Sequence, residues 1–132
     1  MTNKVNKIFL KDSYHITNLK LCSVRLIDNS KFPWIILVPN RKKVTDISEL
    51  NLKDQILLMK EIVHCSKLMK KIFKTSKLNV EKIGNIVSQL HIHIIARSKN
   101  DSSWPLSVWV VEKKTYSKKK IMAILQKLKK LF

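Results

Sequence analysis

The segment LHIHIIA, residues 90–96, constrains this chain more than any other stretch. Apolar and polar residues alternate there with a period of two, which marks a strand with two unlike faces. Leu90, Ile92, Ile94 and Ala96 point one way, into a core. Gln89, His91, His93, Ile95 and Arg97 point the other way. Two imidazoles therefore share one face, flanked by a carboxamide and a guanidinium, and a polar row backs onto an apolar one.

The remaining chain supplies partners for such a strand. Residues 1–18 are polar and mixed, with one short helical turn expected around Asp12–His15. LKLCSVRLI carries alternating apolar residues and ends in the turn cluster Asp28-Asn29-Ser30. WIILV, residues 34–38, is a continuous apolar run between Pro33 and Pro39, and the two runs are expected to pair antiparallel. Residues 52–75 read as a long helix with Asn51 as N-cap and Asp54 in its first turn. Its expected packing stripe is Leu52, Ile56, Met59, Ile62, Val63, Met69, Ile72 and Phe73, with lysines on the solvated face. KLNVEKI is a possible strand, and a short strand is expected around Val108–Val111. Residues 117–131 read as a terminal helix capped by Ser117, with Ile121, Ile124, Leu125 and Leu128 as its apolar face.

The chain has 132 residues, which suits one domain, 1–132, able to bury a core without disulfides. No apolar run approaches the roughly 20 residues of a membrane span, and the first residues lack the apolar stretch of a secretory signal. A cytoplasmic protein is the expectation, with Cys22 and Cys65 as reduced core-fillers. The formal charge is +18, but 24 of the 27 basic residues are Lys and only Arg25, Arg41 and Arg97 are Arg. Nucleic-acid recognition favours Arg for bidentate contacts, so the charge is read as compositional bias and nucleic acid is not favoured as partner. Lys118, Lys119 and Lys120 occupy a helical first turn where the dipole disfavours cations. Bias is the plain account of them, an anion-binding surface the sharper one.

The His91/His93 pair has three readings. It could be two metal ligands, but no third ligand shares the row, so no metal is expected. It could be two ordinary histidines. Or one imidazole attacks phosphorus while its neighbours hold the phosphate oxygens and the leaving group. Ser88 beside the strand lacks a nucleophile elbow and reads as loop packing. Arg97 would either touch a phosphate or pair with Asp101 at the surface. His15 and His64 read as structural or solvated, and Trp104 and Trp109 as core or dimer packing.

LNVEKIGNIVSQLHIHIIAR resembles the signature strand of the histidine triad (HIT) superfamily. The triad pattern stands here as Gln89-Leu90-His91-Ile92-His93-Ile94-Ile95, preceded by Gly84-Asn85. NDSSWPLSVW resembles a bacterial branch in which Gln replaces the first triad histidine, and RLIDNSKFPWIILVPNR is similar to the family's hairpin. The likeness covers about residues 18–112. It implies an α+β fold: an antiparallel sheet of about five strands, one long helix packed on it, here with a C-terminal helix, and commonly a homodimer. It implies a nucleotide partner and no cofactor. His91 would be the nucleophile, forming a nucleotidyl-imidazole that water hydrolyses, and His93 would hold the phosphate and assist the leaving group. The main-chain carbonyl of Gln89 would orient the ring of His91. Asp28 would sit on the ribose hydroxyls, Leu26 and Ile27 on the base, Asn85 at the phosphate, and Asn79 on the leaving-group side.

Two familiar imidazoles are replaced, by Gln89 and by Trp34 on the hairpin strand. Gln can hydrogen-bond but cannot act as a general acid. The expected function is a nucleotide-binding hydrolase or transferase acting at the α-phosphate of a dinucleoside polyphosphate or nucleoside phosphoramidate. The alternatives are a catalytically weak or inactive nucleotide-binding module and a basic adaptor for nucleic acid or lipid.

Overall fold

The computed structural model describes residues 4–132. Five antiparallel strands form one sheet in the order β1-β2-β3-β5-β4. They are β1 (Ser13–Asn18), β2 (Cys22–Ile27), β3 (Trp34–Pro39), β4 (Lys77–Glu81) and β5 (Ile92–Arg97). A short helix α1 (Lys7–Asp12) precedes them, α2 (Leu52–Phe73) joins β3 to β4, and α3 (Lys118–Leu131) ends the chain. The fold is α+β, as expected. Among the described residues, no helix is long and apolar enough to cross a membrane.

The alternation in the sequence becomes two-sided burial. Val24 and Leu26 of β2, Ile35 and Leu37 of β3, and Ile92, Ile94 and Ala96 of β5 face the main core. There they meet Leu58, Cys65 and Met69 of α2 and Ile121 and Leu128 of α3. Cys22 and Cys65 are both free and buried. Burial raises both thiols, that of Cys65 to about 12. The other sheet face carries two smaller clusters. Phe9 of α1 packs with Ile36, Val38 and Val87; Phe32, Trp34, Ile95 and Val108 form the second. Covering both faces explains why every residue of β3 and β5 is buried.

Several elements differ from the sequence reading. The helical turn expected at Asp12–His15 is instead the end of α1 running into β1. That strand sits at the sheet edge and pairs only with β2, so Tyr14, His15 and Asn18 face solvent. Residues Val108–Val110 form a 3₁₀ turn, not a strand. The largest correction concerns α2. Leu52, Ile56, Met59 and Val63 are 70, 50, 59 and 43% exposed, whereas its buried residues are Asp54, Leu58, Glu61, Cys65 and Met69. Two carboxylates lie on the buried face because each is saturated. Glu61 accepts the main-chain N–H groups of Leu21 and Cys22, both at 2.9 Å. Asp54 accepts Nε and Nη2 of Arg41 at 2.6 and 3.0 Å. Asn51 caps the helix as expected, its Oδ1 accepting the N–H of Asp54 at 2.8 Å. The C-terminal cap, Lys74, takes the left-handed conformation at φ +51° that ends many helices.

Candidate active site

The gap between the two smaller clusters is a cavity of about 540 Å³. Its floor is the outer face of β5, where His91 and His93 are 6 and 5% exposed, with ring centroids 4.8 Å apart. One wall is α1, whose Phe9 meets His91 edge-on at 4.5 Å. The opposite wall is Trp34 with Trp109, whose rings lie 5.6 and 5.3 Å from His93. Ile27 and Asn29 close one end, and the loop of Gly84, Asn85, Ile86 and Val87 the other. Gly84 has φ +77°, a conformation glycine adopts without steric cost. Asp12 and Lys113 stand at the rim, 3.6 Å apart.

The hydrogen bonds assign the ring protons. His91 Nδ1 lies 2.7 Å from the carbonyl of Gln89. A carbonyl only accepts, so Nδ1 carries the hydrogen and Nε2 keeps its lone pair. His93 is the reverse. Its Nδ1 lies 3.0 Å from the indole Nε1 of Trp34; the indole only donates, so Nδ1 accepts and Nε2 carries the hydrogen. Burial lowers the affinity of both rings for a second proton. For His91, burial outweighs the opposing Gln89 carbonyl, and Lys82 adds to the lowering. For His93, burial and the neighbouring His91 push the value down to about 3. At neutral pH the pair is thus two neutral rings of opposite tautomer, one offering a lone pair and one a hydrogen.

Of the residues singled out from the sequence, His91, His93, Ile27 and Asn85 line the cavity. So do Gly84, Trp34 and Trp109, the last read from the sequence as packing, whereas Leu26, Asp28, Asn79 and the Gln89 side chain are not among the lining residues. Leu26 is in the main core on the opposite sheet face. Asp28 Oδ1 accepts the N–H of Tyr116 at 2.8 Å, fastening the segment before α3. Asn79 Oδ1 accepts from Arg97 Nη1 at 2.6 Å. The side chain of Gln89 turns to the N-terminal segment, accepting the N–H of Asn6 at 2.8 Å and donating to the carbonyl of Lys4 at 3.0 Å. Only its main chain touches His91. Arg97 does pair with Asp101, at 2.7 Å, but the pair is buried rather than on the surface, and the guanidinium also reaches Ser103 and the carbonyl of Leu106.

The sequence reading passed over Phe9, Asp12 and Asn29, and it read Trp34 only as a lost histidine. It also passed over Glu81, which is paired in register with His93 on the neighbouring strand. Glu81 Oε1 accepts the indole N–H of Trp109 at 3.1 Å. Cross-strand partners share a sheet face, so the register was the signal that could have found it. Among the described residues, no group of three His, Cys, Asp or Glu side chains is placed to hold a metal ion.

The sequence matches the HIT domain family over residues 10–100. A crystal structure of a histidine triad protein from Bradyrhizobium japonicum is 33% identical, with a TM-score of 0.94, covering 99% of this chain and 98% of that one. A histidine triad protein from Marinobacter aquaeolei is 31% identical, with a TM-score of 0.94 and coverage of 99% and 96%. The diadenosine triphosphate hydrolase of Plasmodium falciparum shares the fold at 18% identity, with a TM-score of 0.65 and coverage of 98% and 87%. No curated protein matches the sequence.

Proposed function

This chain belongs to the HIT domain family, and from that premise we propose that it is a nucleotide-binding hydrolase or transferase that uses His91 as nucleophile at an α-phosphate, in the branch with Gln in the first triad position. The observation that carries this reading is the opposed tautomers of His91 and His93. The Nε2 lone pair of His91 attacks phosphorus and forms a P–N bond. The bond from phosphorus to the leaving group breaks, and its electron pair departs with that group. His93 Nε2–H donates to a phosphoryl oxygen as charge develops there. Water then attacks phosphorus, the P–N bond breaks, and nucleoside monophosphate and a proton are released, restoring His91. The base would lie against Ile27 and the α1 wall, and Asn85 would meet the phosphate.

A second reading is a nucleotide-binding module with little turnover. It is favoured by Gln89, whose side chain is engaged with Asn6 and Lys4 and supplies no acid to the cavity. One experiment separates the two. The protein is incubated with diadenosine polyphosphates and with an adenosine phosphoramidate, AMP release is measured, and AMP binding is followed by calorimetry. His91→Ala should lower turnover by at least about a thousand-fold, as expected when a nucleophile is removed, while AMP binding persists. Equal turnover by both proteins removes His91 from the mechanism. Binding without turnover in the unmodified protein selects the module.

We also propose a homodimer, because α2 presents Leu52, Ile56, Met59 and Val63 unpartnered on one side.

A further inference from the structure

The wall that α1 gives the cavity has little support of its own. The helix has six residues, of which only Phe9 is buried; Ile8 and Leu10 are 44 and 56% exposed. A helix this short is not stable alone, so its position is imposed from outside. At its C-terminal end the chain runs directly into β1, and the Ser13 hydroxyl donates to the carbonyl of Phe9. Ahead of its N-terminal end, among the described residues, the hydrogen bonds from other elements come from one side chain. The carboxamide of Gln89 accepts the N–H of Asn6 through Oε1 at 2.8 Å and donates to the carbonyl of Lys4 through Nε2 at 3.0 Å. Asn6 is in turn the N-cap of α1, its Oδ1 accepting the N–H of Ile8 at 2.9 Å. A carboxamide suits this place because it holds an acceptor and a donor side by side; a carboxylate would have no hydrogen for Lys4.

The same residue reaches the reacting centre. Its main-chain carbonyl holds His91 Nδ1 at 2.7 Å, and Phe9 of α1 meets the His91 ring edge-on. Ile8 and Phe9 give the cavity an apolar side of the kind that receives the flat, weakly polar part of a ligand. We propose that Gln89 is a positioning residue for the nucleotide: its side chain ties residues 4 and 6 to the strand of His91, holds α1 in place as a wall, and so sets the affinity for the nucleoside part of the ligand. The inference rests on the nucleotide reading proposed above. It gives the carboxamide in the first triad position a task that needs no proton transfer. A wall in place only a tenth of the time weakens apparent binding ten-fold, and the loss of two ordinary hydrogen bonds is of that order.

The test is Gln89→Met, which keeps the length of the side chain and removes both hydrogen bonds. AMP and GMP binding is measured by calorimetry, KM and kcat with diadenosine tetraphosphate, and amide hydrogen exchange by mass spectrometry. Exchange over residues 4–12 should quicken about ten-fold while that of β5 is unchanged. The Kd for AMP should rise about ten-fold, and KM should rise more than kcat falls. Unchanged exchange over residues 4–12 with unchanged AMP affinity overturns the role of Gln89 and leaves the His91 mechanism standing. Faster exchange over residues 4–12 without weaker binding shows that the wall does not hold the ligand, and also overturns it. Weaker binding with β5 exchanging faster as well means that the substitution acts on the strand and not through α1, which overturns it too. Binding of neither nucleotide by the unmodified protein removes the nucleotide reading and this inference together.

Discussion

At the scale of single residues, the site depends on two rings kept neutral by burial, and that neutrality has a measurable cost. A buried histidine whose folded value lies below its unfolded value binds fewer protons in the native state. Stability is then fully present above the unfolded value, about 6.5, and is lost as pH falls through that region. For His93 the loss continues down to about 3. The lowered carboxylates of Asp54 and Asp101 add their own acid losses only below about 4, the ordinary carboxylate range. Denaturant melts between pH 7 and pH 5 should therefore show falling stability, and His93→Asn should flatten that slope. A slope unchanged by the substitution would assign the acid sensitivity elsewhere. The imidazole pair was legible because strand alternation puts residues two apart on one face. The proton positions were half legible. Any residue at position 89 supplies the carbonyl that sets His91, whereas the donor that sets His93 comes from Trp34, 59 positions away. No local pattern announces such a contact. The partners of Asp28 and Asn79 were hidden for the same reason: a carboxylate oxygen of Asp28 accepts from Tyr116 and the side-chain carbonyl of Asn79 accepts from Arg97, partners distant in sequence.

At the scale of elements, α2 shows where periodicity misleads. Its length, its Asn51 cap and its place between β3 and β4 follow from the sequence. Its buried face follows only in part: Ile62, Met69, Ile72 and Phe73 do pack on the core, but counting apolar residues assigns Glu61 to solvent. The structure buries Glu61 at 6% exposure to close the β1–β2 turn, where two main-chain N–H groups have no strand partner. The carboxylate thus fastens a helix to a turn 40 residues earlier. Glu61→Ala should strand two buried donors and cost about 3 kcal/mol, the sum of two modest desolvation penalties. Glu61→Gln, with one acceptor left, should cost about half. Urea unfolding monitored by tryptophan fluorescence measures both, and a neutral Glu61→Ala would show that water satisfies the turn equally well. β1 was missed for a related reason. An edge strand needs only one apolar face and tolerates the polar run of SYHITN, so little in its composition separates it from a loop.

At the scale of the whole molecule, the question is what lies against the outer face of α2. Leu52, Ile56, Met59 and Val63 follow one another at steps of four, three and four residues, the spacing of a seam that packs against another helix. The adjoining edge strand β4 adds Val80, 49% exposed. A run of this kind on a chain with formal charge +18 is more than scattered surface hydrophobicity. Like charge opposes self-association, so the apolar seam must outweigh it, and salt should strengthen the contact by screening. Sedimentation equilibrium should give a dimer that tightens with added salt, and Met59→Glu at the middle of the seam should give a monomer. The cavity is assembled within one protomer from α1, β3, β5 and the 3₁₀ turn, so the monomeric variant should keep its AMP affinity within about two-fold, below the scale of one lost hydrogen bond. A Met59→Glu protein that stays dimeric would move the interface off this face. One that becomes monomeric and loses AMP would mean that the partner completes the pocket.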